Sequence, residues 1–229
     1  MEKIGIKVLV DFRRKSERGK ITLVRNLKKI NISSENDESS GGDYWISCLS
    51  AIANTFKDDD NNLLTEKINL LVEKIKATNY RRTKNQFQSN IDVLYSFGDF
   101  DFQEIKPDVK LSYLKKPTNK SILHIAGLPI YVKPNHVFTF STKDRLEIGA
   151  VWFIAQKDGF SKGELGMFVE VLYQYLSNYY DKEFNINTTY CIVVDVNKAQ
   201  RISYKDLQEG KVPKLLVQTI EELKSFLLK

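Results

Sequence analysis

At 229 residues, 42% of them hydrophobic, the chain is long enough and apolar enough to bury a core, which excludes a disordered or collagen-like protein. Its longest apolar runs, such as 149–155, fall far short of the roughly 20 residues a membrane helix needs, and charges stand where a signal peptide would be apolar, so a soluble, cytoplasmic protein with no membrane partner is expected. The net charge of +6 is concentrated in residues 1–30, where ten Lys/Arg against three Asp/Glu give +7 and leave the other 199 residues at −1.

In chain order, Ile4, Ile6, Val8, Val10 and Phe12 alternate with other residues at the period of a strand. Residues 21–24 supply a return strand, so the sequence predicts an N-terminal basic β-hairpin over 1–32. Its tip carries Arg13, Arg14, Lys15, Arg18 and Lys20. Such a density of like charge suits phosphates or an acidic partner, and equally suits a solvated turn. Residues Ser33–Gly42 (SSENDESSGG) read as a polar loop and a boundary.

A helical subdomain is expected over 43–104. Asp43 can cap a helix whose stripe is Trp45, Cys48, Leu49, Ile52, Ala53 and Phe56. Leu64, Ile68, Leu71, Val72 and Ile75 write a second helix, and Phe87, Ile91, Leu94 and Tyr95 a third. Asp58–Asp60 between the first two reads as a solvated turn. Arg81, Arg82 and Lys84 ahead of the third form a second basic group.

From residue 105 to 229 the pattern turns to an α/β core. Strands are expected at 121–125, 129–132, 137–140 and 146–156, with turns at 127–129 and 141–144. Residues 151–154 are continuously apolar, as in a strand covered on both faces. Ser161 and Glu164 make a capping box for a helix striped by Leu165, Phe168, Val169, Leu172, Tyr173 and Leu176. A buried strand at 190–196 and a closing helix through Leu216, Ile220, Leu223 and Leu227 complete the chain. Tyr173, Tyr175, Tyr179 and Tyr180 serve core packing better than base stacking. The fold class is therefore α/β, a mixed central sheet flanked by helices. Cys48 and Cys191 each lie in an apolar element and read as buried thiols. The patterns GxGxxG, GxxxxGKS, GxSxG and HExxH are absent.

The order strand, turn, strand, helix, strand over about the last 100 residues resembles the core of the PD-(D/E)xK, restriction-endonuclease-like superfamily, and the preceding helices resemble additions in its RecB-like and Cas4-like members. The resemblance implies a Mg²⁺-dependent nuclease in which one carboxylate comes from the strand after the first turn and an acid-x-Lys motif closes the next strand. Here those positions read Asn135-His136 and Ala155-Gln156-Lys157. Lys157 is kept and both acids are missing. Glu147, ten residues before Lys157 on one strand, would lie roughly 33 Å from it. A carboxylate shifted onto the next helix, Glu164 or Glu170, is the remaining route to activity with Lys157, and His136 could act as ligand or base. Three readings follow: a catalytically degenerate protein holding nucleic acid through Arg13, Arg14, Lys15, Arg18, Lys20, Arg81 and Arg82; a module that binds a protein partner instead; or an active nuclease using Mg²⁺, the one cofactor implied.

Overall fold

A computed structural model describes residues 3–30, 44–115, 121–143 and 145–228. The expected 33–42 loop, the Asp43 cap and Asp144 of the expected turn lie outside the described residues. The described elements run β1 (Ile4–Gly5), α1 (Ile6–Arg14), α2 (Glu17–Ile30), α3 (Ile46–Asp58), α4 (Asn62–Ala77), α5 (Arg81–Ser96) and, after a short 3-10 turn at Phe102–Ile105, β2 (Ser112–Tyr113). They continue with β3 (Ile122–Ile125), β4 (Leu128–Tyr131), β5 (His136–Thr142), β6 (Arg145–Ile154), α6 (Lys162–Tyr180), β7 (Asn185–Asp195), β8 (Gln200–Ser203), α7 (Tyr204–Gln208) and α8 (Leu216–Leu227). The fold is mixed α/β, as the sequence pattern indicates.

The apolar run at the end of β6 sits at the centre of a five-stranded sheet ordered β2-β5-β6-β7-β8. Successive side chains of a strand point to opposite faces. Ala150 and Ile154 of β6 and Cys191 and Val193 of β7 enter one core with α1, α6 and α8. Val151 and Phe153, with Ile192 and Val194, enter another built on α3, α4 and α5. Helices cover both faces, which is why these strands are apolar at every position. The two free thiols are buried on opposite faces of this sheet, Cys191 in the first core and Cys48 in the second.

β6 and β7 run parallel, joined through α6, while β5 and β8 pair antiparallel on either side. Between Ile148 and Ala150 the register slips, and Asn187 folds the bulged strand back by accepting the N–H groups of Thr189 and Tyr190. Gly149 faces this bulge: a Cβ there would lie 2.7 Å from the Tyr190 carbonyl oxygen and 2.8 Å from the Phe138 ring.

The N-terminal hairpin is not formed. Among the described residues of this segment the one strand is Ile4–Gly5, pairing parallel with Ile130 and Tyr131 of β4, and the chain then turns into two helices. Leu9 decides the outcome. A strand that buried Val8 and Val10 would send Leu9 to the opposite face, whereas a helix places Ile6, Leu9 and Val10 together at i, i+3 and i+4. All three are buried, with Phe12 beside them. The basic residues thus lie on and between helices.

β3 and β4 form a hairpin closed by Ala126 and Gly127, both at positive φ (47° and 81°), the two-residue turn that matches strand twist. With β1 they make a second sheet, ordered β1-β4-β3. Among the described residues no helix is long and apolar enough to cross a membrane.

Candidate polar site at the carboxyl ends of β6 and β7

Because β6 and β7 are parallel and joined by α6, their carboxyl ends and the start of α6 converge, the position where open α/β sheets usually bind ligands. Ala155-Gln156-Lys157 lies there. Antiparallel pairing of His136 with Val151 brings the start of β5 to the same end of the sheet. Asn135-His136 and Ala155-Gln156-Lys157 therefore lie at one end of the sheet.

Asn135 is a splice. Its Oδ1 accepts the N–H of Phe153 at 2.8 Å, and its own N–H donates to the Val151 carbonyl at 3.0 Å. The half-buried His136 ring stacks on Phe56 with centroids 5.9 Å apart, and its Nε2 lies 2.8 Å from the Ala53 carbonyl oxygen. That geometry ties β5 to α3. Ala155 is buried, Lys157 is exposed on the turn beyond β6, and the Gln156 side-chain oxygen is buried without a hydrogen-bond partner among the described residues.

The two acids at this end, Asp195 and Glu164, are held by hydrogen bonds from their neighbours. Asp195, fully buried at the end of β7, accepts the N–H of Phe160 at 2.7 Å and that of Asn197 at 3.0 Å. Burial pushes its carboxyl above the ordinary range, against the pull of those N–H groups and of Lys198. Gly159, at φ 63°, lets the loop approach: a Cβ there would meet an Asp195 oxygen at 2.6 Å. Arg14, at the end of α1, donates to both oxygens of Glu164 at 2.6 Å and to the Gly159 carbonyl at 2.8 Å. Glu164 also accepts the Ser161 N–H at 2.7 Å, completing the expected capping box. Burial alone would raise the Glu164 carboxyl, but Arg14 and Ser161 together hold it below the ordinary range. The result is a joint that pins α1, the loop before α6 and the end of β7.

Glu170 is elsewhere. Six residues beyond Glu164 it is about 9 Å along the helix and about 120° around it. Burial raises its half-buried carboxyl, opposed by Lys214, and its Oε2 has no hydrogen-bond partner among the described residues. Glu147, near the start of β6, accepts the Asn187 amide at 2.5 Å. Among the described residues no group of three or more His, Cys, Asp or Glu side chains is placed to hold a metal ion.

The basic candidates divide. Arg13 donates to Thr219 Oγ1 of α8 at 3.1 Å; Lys20 pairs with Glu222 at 2.5 Å and lies 5.0 Å from the centre of the Phe12 ring. With Arg14, they bind the N-terminal helices to the rest of the fold. Lys15 and Arg18 are exposed. Arg81 and Arg82 are exposed on the first turn of α5, in the helical layer on the other side of the five-stranded sheet.

Two concavities lie away from this joint. One, of about 470 Å³, includes Lys57, Asp59, Lys106, Lys110 and Tyr113. At it the buried Lys106 ammonium is neutralised by Asp59 and sits 4.6 Å from the Phe56 ring centre. The other, of about 630 Å³, runs between β3 and the last turns of α6. Sequence reasoning passed over Asp195 and the Arg14 joint, although a lone acid ending an apolar strand was a visible signal. A scan of protein-family models and searches of curated proteins and of solved structures each return no match.

Proposed function

We propose that this chain is a non-catalytic protein-interaction module on a nuclease-like α/β core, in which the positions that would carry a metal have become structural joints. The observation that carries this reading is the state of Glu164: its carboxylate accepts two bonds from Arg14 and one from Ser161. A carboxylate offers about four lone-pair directions, so little remains for a metal. Asn135 and His136 spend their polar atoms on neighbouring strands and helices in the same way. The test is incubation of labelled single- and double-stranded DNA and RNA with Mg²⁺ or Mn²⁺, comparing the native chain with Lys157→Ala. Neither is expected to cleave. Cleavage by the native chain that disappears in the variant overturns the reading and establishes a rearranged nuclease centre.

Nucleic-acid association is the second reading, and the exposed pairs Lys15 with Arg18 and Arg81 with Arg82 favour it. Each phosphate contact contributes about −0.9 to the slope of log K against log salt. A two-residue patch therefore gives a slope near about −2, the behaviour of weak, sequence-independent contact. A slope steeper than about −5 requires a continuous basic groove and would move nucleic acid to first place.

A further inference from the structure

The 630 Å³ cleft deepens the interaction-module reading and rests on it. β3 is the last strand of its sheet and pairs with β4 alone among the described residues. The two-residue turn makes Ile125 and Leu128 the closing pair of the hairpin, so ladder bonding alternates back from there. Leu123 with Ile130 continues the bonded set, and the Val132 N–H reaches the Ser121 carbonyl at 2.6 Å, which confirms the parity. His124 and Ile122 are the non-bonded pairs. Their N–H and C=O groups consequently point away from β4, towards the edge that carries no further strand among the described residues.

Natural proteins usually shield such an edge with charge, a bulge, proline or a covering element. Here the facing element leaves a cleft. α6 lines it with Gln174, Ser177 and Asn178, spaced i, i+3 and i+4 and therefore on one helix face, and its C-cap residue Asp181 follows at i+7. Ile122 and His124 line the opposite wall.

The lining selects the occupant. Asp181 and Lys182 contribute one charge of each sign, so the cleft has no attraction for a polyanion such as nucleic acid. The α6 wall offers amide and hydroxyl groups, and on the β3 wall Leu123 is already buried in the core, so the apolar face of an amphipathic helix would find only Ile122 to bury against. An extended peptide pairs with these edge-facing N–H and C=O groups through its backbone alone and presents alternate side chains to the polar α6 stripe. We propose that β3 and α6 form a docking groove for an extended, polar peptide segment of a partner protein, added as a fourth strand to the β1-β4-β3 sheet.

The probe is a phage-displayed library of random dodecapeptides selected on the full chain, with the enriched sequence then made synthetically. Its affinity is measured for the native protein, for His124→Pro and for Asn178→Arg. Proline at 124 deletes an N–H aimed at the edge while leaving the β4 ladder intact, as edge strands tolerate. Arginine at the exposed position 178 fills the cleft from the other wall. Each is expected to weaken binding at least about tenfold, while amide NMR signals of Ile122, His124 and Ser177 shift in the native protein as peptide is added. No enriched peptide, or equal binding by both variants, overturns the proposal. So does a native dimer that His124→Pro renders monomeric, because a second copy then occupies the edge. Nucleic-acid cleavage would sink the non-catalytic reading and leave the peptide affinities standing; a native chain that neither binds peptide nor cleaves sinks the groove alone.

Discussion

Replacing Glu164 with alanine tests whether the polar site is a joint or a reaction centre. The side chain is 10% exposed and accepts three hydrogen bonds, two from Arg14 at 2.6 Å and one from the Ser161 N–H at 2.7 Å. A hydrogen bond to a charged group is worth about 1.5–3 kcal/mol, but bonds sharing one carboxylate do not add, and Arg14 is 33% exposed and partly screened. A loss of about 3 kcal/mol is expected, including the helix cap. In a domain of this size that is a fall of roughly 6–12 °C in Tm, read by circular dichroism at pH 7. Glu164→Gln can keep the acceptor for Ser161 and loses the charge, so about half that loss is expected. Lys157→Ala, at an exposed position, should stay within about 0.5 kcal/mol of the native chain. A loss below about 1 kcal/mol for Glu164→Ala refutes the structural role assigned to the pair. A biochemical activity that vanishes while Tm holds would make Glu164 a catalytic residue.

Elements whose burial pattern is written locally were legible in the sequence. Trp45, Cys48, Ile52 and Phe56 repeat at helical spacing, and α3 forms there; the Ser161-Glu164 signature starts α6; the apolar run at 151–154 is a central strand. The N-terminus was misread because Ile4, Ile6, Val8, Val10 and Phe12 satisfy a strand period while Ile6, Leu9 and Val10 satisfy a helical one. Tertiary packing against α6 and α8 settles between the two, and no local propensity reports it. β2, two residues long, and β8, four residues long, exist through their neighbours: their register with β5 and β7 defines them.

The polar site was half legible for a related reason. A capping box is a local pattern, so Glu164 was recognised as a cap. Its pairing with Arg14 spans 150 positions and depends on α1 being a helix that ends beside the loop before α6. Once the hairpin is replaced by helices, Arg13, Arg14 and Lys20 change from a presented patch into ties between α1, α2, α6 and α8. Secondary structure thus decides whether the same residues are read as ligand-binding or as structural.

His136→Ala removes a contact to the Ala53 carbonyl and a ring stack on Phe56, worth together about 2 kcal/mol in urea unfolding; a change under about 0.5 kcal/mol would release His136 for another role. The pH dependence of stability carries two opposed contributions from one site. The Glu164 carboxyl is held below its ordinary value, so its stabilisation is present above that value and is lost as pH falls through the lowered one. Asp195 is raised by burial, so its contribution is complete below its ordinary value and is lost as pH rises through the raised one. Urea unfolding from about pH 3 to 8 should therefore show Glu164→Gln losing part of the native acid-side fall, which begins below the ordinary glutamate value of about 4.3. Asp195→Asn should do the opposite, removing a loss that sets in above the ordinary aspartate value of about 3.9 and so steepening the net rise of stability with pH. Profiles parallel to the native one in both variants would mean that neither carboxyl changes its proton affinity on folding, and the electrostatic account of the joint would fail.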